Sequence, residues 1–139
     1  MIREATYFDV PKIVKLTKDF SDDSGFTDVV GYDEEAVKAF ALSLIDNENG
    51  IILLGSESIL AGIVTEHPFN PASKTFVEFV WRAKDKEGLK LLKAAETFAK
   101  DKGASVFTMM GIDTMPDITK LHERQGYRKM ETTFIKELG

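Results

Sequence analysis

The chain has 139 residues, of which 43% are hydrophobic and 29% are charged, and its formal net charge is −5. This length and apolar content predict a single folded domain over 1–139, and the acidic balance argues against a nucleic-acid partner. The absence of cysteine excludes disulfides and thiolate chemistry, and two distant histidines do not favour a zinc site, so we expect no metal. Neither a long apolar run nor a signal-peptide pattern is visible, so we expect a cytoplasmic protein without a membrane partner.

The first part of the chain predicts a short strand and two helices. Ile2 to Tyr7 has strand character, and Asp9 followed by Pro11 is typical of a helix start. The acidic stretch from Asp19 to Asp28 contains a serine and a glycine and predicts a loop. Asp33 caps the second helix. The apolar face predicted for that helix consists of Val37, Phe40, Ala41, Leu44 and Ile45.

The middle of the chain changes to strand character. Ile51 to Leu54 and Ile59 to Thr65 are apolar runs on either side of a polar turn, which predicts a hairpin. His67 to Pro71 is predicted to be a loop because two prolines bracket it. Thr75 to Trp81 is predicted to be the next strand, so this region forms a meander.

The last part of the chain alternates helices and strands. Gly88 to Lys102 carries a clear apolar stripe, and Gly103 follows it as a cap residue. The remaining predicted elements are a buried strand over Ser105 to Met110, a helix over Pro116 to Gln125 and a final strand over Tyr127 to Glu137. The whole order indicates an α/β fold of mixed α+β type, with one sheet covered by helices on both faces.

Charge is distributed unevenly along the chain. From Asp19 to Glu35 there are seven acids and no base, whereas Arg82 to Lys102 has seven bases and four acids. These runs are either two ordinary solvated faces, or one side that attracts a cation and another that attracts an anion.

Two segments in the second half resemble a known family. Phe79-Val80-Trp81 leads through a basic loop into a helix that begins Gly88-Leu89-Lys90-Leu91-Leu92, and Leu121 to Tyr127 reads LHERQGY. In this order, and with this layout of strands and helices, they resemble the central strand, cofactor loop and closing motif of the GNAT N-acetyltransferases. The ending from Tyr127 to Lys136 is also similar to members carried by tailed bacteriophages.

The resemblance implies a fold, a reaction and a setting. The fold is a GNAT-like domain with a central mixed, mostly antiparallel sheet of about six to seven strands. The reaction is transfer of an acetyl group from acetyl-CoA to a small-molecule or peptide amine by direct attack in a ternary complex. The setting is the cytoplasm of a bacterial or phage-infected host cell, with a possible homodimer.

The resemblance also assigns residues to the co-substrate. The backbone of Phe79, Val80 and Trp81 would bond to the amide groups of acetyl-CoA, and a loop leading into a helix N-terminus would bind its pyrophosphate. Otherwise the segment is an ordinary strand–loop–helix connection with surface lysines. The loop residues predicted to contribute are Arg82, Lys84, Lys86, Glu87, Gly88 and Leu89.

This sequence departs from the family pattern at the loop. Of its two characteristic small residues only Gly88 remains, and Lys86 replaces the other, where a side chain would hinder close approach to phosphate. Glu87 would repel the phosphate unless it points away or caps the helix. The asparagine that the family carries before its closing motif falls on Met115.

Glu78 and His122 are the predicted catalytic residues. Glu78 is the only acid in an apolar strand, so burial would raise its pKa and suit it to accept a proton from the amine. The alternative is a structural glutamate with a local partner. His122 occupies the place of the family's tyrosine and would act as general acid, or else it is a partly exposed helix histidine making a surface contact.

The acidic segment suggests how an acceptor would be recognised. It lies where the superfamily closes over its acceptor, so Asp22, Asp23 and Asp28 would favour a cationic amine. The alternative function is a non-catalytic GNAT-fold protein that binds a partner protein, which the altered loop would favour. A third reading is an unrelated α/β module that binds a small molecule.

Overall fold

The computed structural model describes residues 1–84, 86–112 and 116–139. Five strands and five helices are assigned within these ranges, with a short 3₁₀ turn over Tyr7–Asp9. The strands are β1 (Arg3–Glu4), β2 (Gly50–Leu54), β3 (Ser58–His67), β4 (Asn70–Ala83) and β5 (Ala104–Thr108). The helices are α1 (Val10–Ser24), α2 (Phe26–Val30), α3 (Glu34–Asp46), α4 (Gly88–Asp101) and α5 (Pro116–Arg124).

The strands form one mixed sheet in the order β1-β2-β3-β4-β5. The pairs from β1 to β4 are antiparallel, and β5 is parallel to β4. The predicted mixed, mostly antiparallel sheet is therefore confirmed. The count is five strands in the described chain rather than six to seven, since the strand predicted over Tyr127 to Glu137 is absent there.

Two apolar layers hold helices against opposite faces of the sheet. On the face covered by α1 and α3, here called the α1/α3 face, helix residues such as Ile13 and Leu44 pack on Ile52 and Ile59. On the opposite face, here called the α4 face, the α4 stripe packs on the sheet around Phe76. The predicted stripe consists of Leu91, Leu92, Ala95, Phe98 and Ala99; all but Phe98 are buried, and Phe98 is half-buried at the edge of this layer.

The two predicted aspartate caps behave differently. Asp33 accepts a hydrogen bond from the Ala36 amide at 3.1 Å and caps α3, as predicted. Asp9 precedes α1, but its carboxylate accepts two hydrogen bonds of 2.6 Å from Arg3 and one of 2.8 Å from the Thr6 amide. This carboxylate therefore ties the first strand to the 3₁₀ turn and does not cap α1.

The loop predicted over Asp19 to Asp28 is wrong. Helix α1 continues to Ser24, Gly25 turns the chain with φ of 91°, and α2 begins immediately afterwards. Within α1, Lys15 pairs with Asp19 and Lys18 pairs with Asp22, each one helical turn apart. Such pairs stabilise a helix, so the acids belong to it.

The loop predicted over His67 to Pro71 is also shorter in the structure. Strand β3 ends at His67 and β4 begins at Asn70, so only Pro68 and Phe69 form the turn. Pro71 lies inside β4, where the register shifts between Glu66 and His67, and this irregularity accommodates a residue that cannot donate to the ladder. In the described part of the chain, no helix is both long and apolar enough to cross a membrane.

Candidate active site

The central feature of the candidate site is the divergence of β4 from β5. Their parallel pairing runs from Lys74 and Ala104 to Val77 and Thr108. Beyond it, β4 continues to Ala83 and pairs only with β3 on its other side, as far as the described residues show. The edge of β4 that includes Phe79, Val80 and Trp81 is therefore open toward β5, at the place where the sequence predicts a co-substrate edge.

A β-bulge at Phe79 determines which way the side chains of this edge point. Ala61 pairs with Val80 and Gly62 pairs with Glu78, so Phe79 is the extra residue. Phe79 and Val80 pack on the α1/α3 face, whereas Trp81 packs on the α4 face. Bulges commonly reorient side chains in this way beside active sites.

Glu78 is buried at the start of the divergence. It lies two positions from Phe76 without an intervening bulge, and so on the α4 face. Its Oε1 accepts a hydrogen bond from the Met110 amide at 3.3 Å, and Oε2 is buried without a partner among the described residues. The side chain is 5% exposed, and desolvation raises the pKa of Glu78 to about 8. The predicted rise in pKa is thus present, and the amide of Met110 only partly offsets it.

His122 is the second buried polar group on this face. It is 7% exposed, so it is not the partly exposed helix histidine that the sequence left open. Its ring centroid lies 5.3 Å from that of Trp81 and 6.0 Å from that of Tyr127. Nε2 is buried with no hydrogen-bond partner in the described structure, and burial lowers the pKa of His122. Met115, predicted to replace a co-substrate asparagine, lies outside the described residues.

Glu87 precedes α4, but its carboxylate is turned away from the helix N-terminus. It accepts hydrogen bonds from the Ser56 amide at 3.3 Å and the Ser56 hydroxyl at 3.2 Å, and lies 2.6 Å from the Met1 amine. These contacts hold the pKa of Glu87 below its usual range. Among the described residues, no side chain caps α4. The Glu87 carboxylate instead points away from the helix N-terminus, which is one of the two arrangements in which an acid at this position is expected not to repel a phosphate.

Gly88 connects the loop to the end of β4 by close packing. A Cβ at Gly88 would lie 2.2 Å from the Cβ of Ala83, so only glycine allows the helix to begin there. The Trp81 indole donates a hydrogen bond to the Gly88 carbonyl at 3.2 Å. Leu89 is half-buried beside the α4-face core. The start of α4 is thus fixed against the open edge of β4.

The basic residues of the loop divide into two groups. Lys84 and Lys86 are exposed, so their positive field reaches solvent near α4. Arg82 instead forms an ion pair with Asp23 of α1, with its own side chain only 14% exposed. No sequence pattern signals this contact, since the two residues are far apart in the chain.

The three predicted acceptor residues are not equivalent. Asp22 accepts two hydrogen bonds of 2.8 Å from Lys18 and one of 2.7 Å from Thr27. Asp23 is paired with Arg82, whereas Asp28 is exposed on α2. Two of the three carboxylates thus already face a cation, which weakens the acidic field inferred from the sequence.

An apolar cleft of about 430 Å³ opens on the α1/α3 face and reaches the bulge at Phe79. The Phe40 ring meets the Phe79 ring edge-on, with centroids 4.9 Å apart. Sequence reasoning missed this cleft, because it placed Phe40 in the core and helical spacing cannot show how closely two layers meet. The other lining residues are Ile13, Thr17, Ala36, Val37, Ala41, Leu44, Ile52, Ile59, Ala61 and Val80.

Comparison with known proteins identifies the fold. No protein-family model and no curated protein matches the chain. A transcriptional regulator from Bacillus halodurans C-125 superposes with a TM-score of 0.75 at 19% identity, over 98% of this chain and 97% of that one. An aminoglycoside N-acetyltransferase in complex with CoA gives a TM-score of 0.74 at 13% identity, over 98% and 92%. An aminoglycoside acetyltransferase from an uncultured soil metagenomic sample, in complex with sisomicin, gives 0.71 at 15%, over 100% and 96%.

These likenesses extend over nearly the whole chain and show its fold. The chain has the GNAT fold of these acetyltransferases, as the sequence resemblance predicted.

Proposed function

We propose that this protein is an acyl-CoA-dependent N-acyltransferase that moves an acetyl group from acetyl-CoA to a primary amine by direct attack in a ternary complex. The observation that supports it is the divergence of β4 from β5 directly beside the uncapped N-terminus of α4. An open strand edge suits the amide groups of an extended co-substrate, and a helix N-terminus suits its pyrophosphate. One similar structure was solved with CoA and another with sisomicin, which supports acetyl-CoA as the acetyl donor and an amine as the acceptor.

The described residues fit this co-substrate. The backbone of Phe79 to Trp81 would bond to its amide groups, and the first-turn amides at Gly88 and Leu89 would bind its pyrophosphate. Lys84 and Lys86 would add attraction from solvent, whereas Arg82 contributes less because Asp23 already neutralises it. Glu87 does not oppose the binding, since its carboxylate is held at Ser56.

The reaction requires two proton movements. The amine nitrogen forms the new C–N bond, the C–S bond breaks, a proton leaves the amine and the departing thiolate takes one up. Glu78 is the proposed base: a carboxyl group with a pKa of about 8 is ionised in part near neutral pH and accepts protons efficiently there. Its unpartnered Oε2 is the atom available for that role.

His122 is the proposed group on the leaving-thiolate side. Burial lowers the pKa of His122 and so favours the neutral imidazole, which would donate an N–H hydrogen bond to the departing thiolate while solvent supplies the proton that the thiolate takes up. Its place against Trp81 puts it on the α4 face with Glu78.

The acceptor is proposed to be an amine with an apolar body. The cleft on the α1/α3 face is lined by apolar side chains and reaches Phe79 and Val80, which also belong to the open edge. Among the three predicted acids, Asp28 remains to attract a positive charge, so a cationic amine keeps a smaller electrostatic contribution. Small-molecule and peptide amines both satisfy this description.

Calorimetric titration with acetyl-CoA is the first test. We expect saturable binding that Lys84→Glu together with Lys86→Glu weakens, because both lysines are exposed beside α4. Lys38→Glu, on the distant helix α3, is the matched control and should leave binding unchanged. Failure to bind at millimolar acetyl-CoA contradicts the proposal.

Turnover across an amine panel is the second test. Release of free CoA thiol should depend on the amine and should be faster for amines with an aliphatic or aromatic body than for compact ones. Binding without turnover would instead support the non-catalytic, partner-binding alternative, which Lys86 at a position that is usually glycine favours.

A further inference from the structure

The ion pair between Arg82 and Asp23 connects two parts of the candidate site. The Arg82 guanidinium donates a hydrogen bond of 2.5 Å to the Asp23 carboxylate. The Arg82 side chain is 14% exposed, whereas that of Asp23 is 46% exposed. Asp23 lies in the last turn of α1, and Arg82 lies at the end of β4. The pair therefore joins a helix of the α1/α3 face to the strand that leads into the co-substrate loop.

The backbone places Arg82 beside the start of α4. Ala83 follows it, and a Cβ at Gly88, the first residue of α4, would lie 2.2 Å from the Cβ of Ala83. The register from Val80 to Arg82 contains no bulge, so both side chains leave the sheet on the α1/α3 face. Because an arginine side chain is long and flexible, its guanidinium can turn from Asp23 toward the start of α4 without a movement of the strand.

The Asp23 end of the pair lies in a corner of the chain outside the core. Gly25 turns the chain two residues later with φ of 91°, and a Cβ built there would meet no atom within 4 Å. Helix α2, which follows, contains no buried residue. Since neither Asp23 nor α2 belongs to the buried core, the corner can lose its contact with Arg82 without opening that core.

A carboxylate and a pyrophosphate are alternative partners for one guanidinium. Arginine binds carboxylate and phosphate oxygens through the same set of N–H groups, and a pyrophosphate offers more of these oxygens and more negative charge. Asp23 thus holds Arg82 with the same chemistry that a phosphate ligand would use. A ligand that places a pyrophosphate at the start of α4 competes directly with this carboxylate.

We propose that the pyrophosphate of acetyl-CoA takes Arg82 from Asp23, so that Asp23 acts as an internal competitor and the pair selects which thioesters are bound as donors. Acetyl-CoA offsets the loss of the ion pair through its phosphate oxygens. A thioester without a pyrophosphate cannot do so, and it binds with Arg82 still on Asp23. This inference rests on the proposed function, since it concerns the co-substrate of that reaction.

A cycle of substitutions, titrated with acetyl-CoA by calorimetry, is the first test. Asp23→Asn should tighten binding about threefold, because Arg82 no longer has to leave a partner. Arg82→Gln should weaken binding about fivefold, because the charge-assisted hydrogen bonds to the pyrophosphate are lost. When both substitutions are present, Asp23→Asn should change the affinity of the Arg82→Gln chain by less than about 1.5-fold.

Opposite signs for the two halves of one ion pair distinguish the exchange from a structural role, since a structural pair weakens binding whichever half is removed. Asp19→Asn is the matched control, because it removes the same charge from the same helix, and it should change the affinity by less than about 1.5-fold. An unchanged affinity in Arg82→Gln, or an equal gain from Asp23→Asn with and without Arg82, overturns the exchange. Failure of the wild type to bind acetyl-CoA overturns the proposed function as well.

S-acetylpantetheine separates the pyrophosphate from the rest of the co-substrate in the second test. It keeps the thioester and the amide groups of acetyl-CoA but carries no phosphate. Its dissociation constant, from competition calorimetry against acetyl-CoA, should agree within about 1.5-fold among the wild type, Asp23→Asn and Arg82→Gln. The preference for acetyl-CoA should therefore rise about threefold in Asp23→Asn and fall about fivefold in Arg82→Gln. If the variants change the affinity for both thioesters alike, the pair does not act through the pyrophosphate and the exchange is wrong.

Discussion

The two faces of the sheet are built from similar apolar residues but filled differently. On the α4 face Leu91, Leu92 and Ala95 are completely buried, and the layer also contains the buried polar residues Glu78 and His122. The α1/α3 face contains the apolar cleft that reaches Phe79. The buried polar atoms without a described partner thus belong to the α4 face, and the described cleft on the α1/α3 face is lined mainly by apolar residues.

This difference suggests a division of roles across β4. Polar groups buried without partners are costly and are tolerated where function requires them, whereas an apolar space suits the body of a ligand. The bulge at Phe79 places Glu78 on one face and Val80 on the other within a few residues. The contrast between the faces can be tested by variants that act on one face at a time.

The largest expected effect is on the pH dependence of stability through Glu78. Its pKa is about 8 in the folded chain against an ordinary 4.5, so its stabilising contribution is complete below pH 4.5 and is lost as pH rises through 8. Between pH 5 and pH 9 this effect lowers the free energy of unfolding by on the order of 4 kcal/mol. Urea unfolding at pH 5 and pH 9 should show this loss in the wild type and not in Glu78→Gln.

Glu66→Gln is the control for that comparison, because Glu66 is exposed on the neighbouring strand β3. It should follow the wild type at both pH values. If the free energy of unfolding falls between pH 5 and pH 9 by the same amount in the wild type and in Glu78→Gln, the burial of an unpaired carboxyl group is contradicted.

The second effect is on the rate. Glu78→Gln should lower kcat by about 100-fold, because the amide cannot accept the proton. The wild-type rate should rise with pH through about 8 as the carboxyl group ionises, and the variant should lose this rise. Thiol release during turnover measures both. A variant that retains the full rate would assign Glu78 a structural role alone, and Glu66→Gln again provides the unchanged reference.

The third effect compares packing on the two faces directly. Ala95 on the α4 face is fully buried, so Ala95→Leu should destabilise the protein by about 1–3 kcal/mol through overpacking. Ala41 lines the cleft, so Ala41→Leu has space and should change stability by less than about 1 kcal/mol while raising the KM of the acceptor. Equal costs at the two positions would show that the faces are packed alike.

The smallest effect concerns the acidic surface. Asp22→Asn, Asp23→Asn and Asp28→Asn together should raise the KM of a cationic acceptor by only about twofold, because exposed ion pairs contribute little and two of these acids are already paired. The affinity for acetyl-CoA should not fall, because Asp23→Asn removes the carboxylate that neutralises Arg82. A rise in KM above roughly tenfold would restore the acidic segment as the main acceptor determinant.

Elements with local signals were predictable from the sequence. The cap at Asp33 and the turn at Gly103, with φ of 88°, bound α3 and α4 as expected. The loop predicted over Asp19 to Asp28 is wrong because Lys15 and Lys18, one helical turn before two of its acids, pair with them and stabilise the helix. The strand predicted over Tyr127 to Glu137 is absent for a different reason. Its polar and apolar residues alternate in part, but a strand forms only when its backbone pairs with a neighbouring strand.

The site was predictable where one residue contrasted with its surroundings. A single acid in an apolar strand identified Glu78 as buried, and the burial is confirmed. The pairing of Arg82 with Asp23 and the extra residue at Phe79 left no mark in the sequence, because both depend on how distant elements meet. The catalytic roles of Glu78 and His122 remain predictions.

The hydrogen bond from Trp81 to the Gly88 carbonyl gives this protein a built-in optical reporter. Trp81 is its single tryptophan, so all indole fluorescence arises where the open strand edge, the start of α4 and the His122 ring meet. Occupation of the helix N-terminus should shift the emission of this indole, and protonation of His122 should quench it. Titrations at the site can therefore be followed in the unlabelled natural chain.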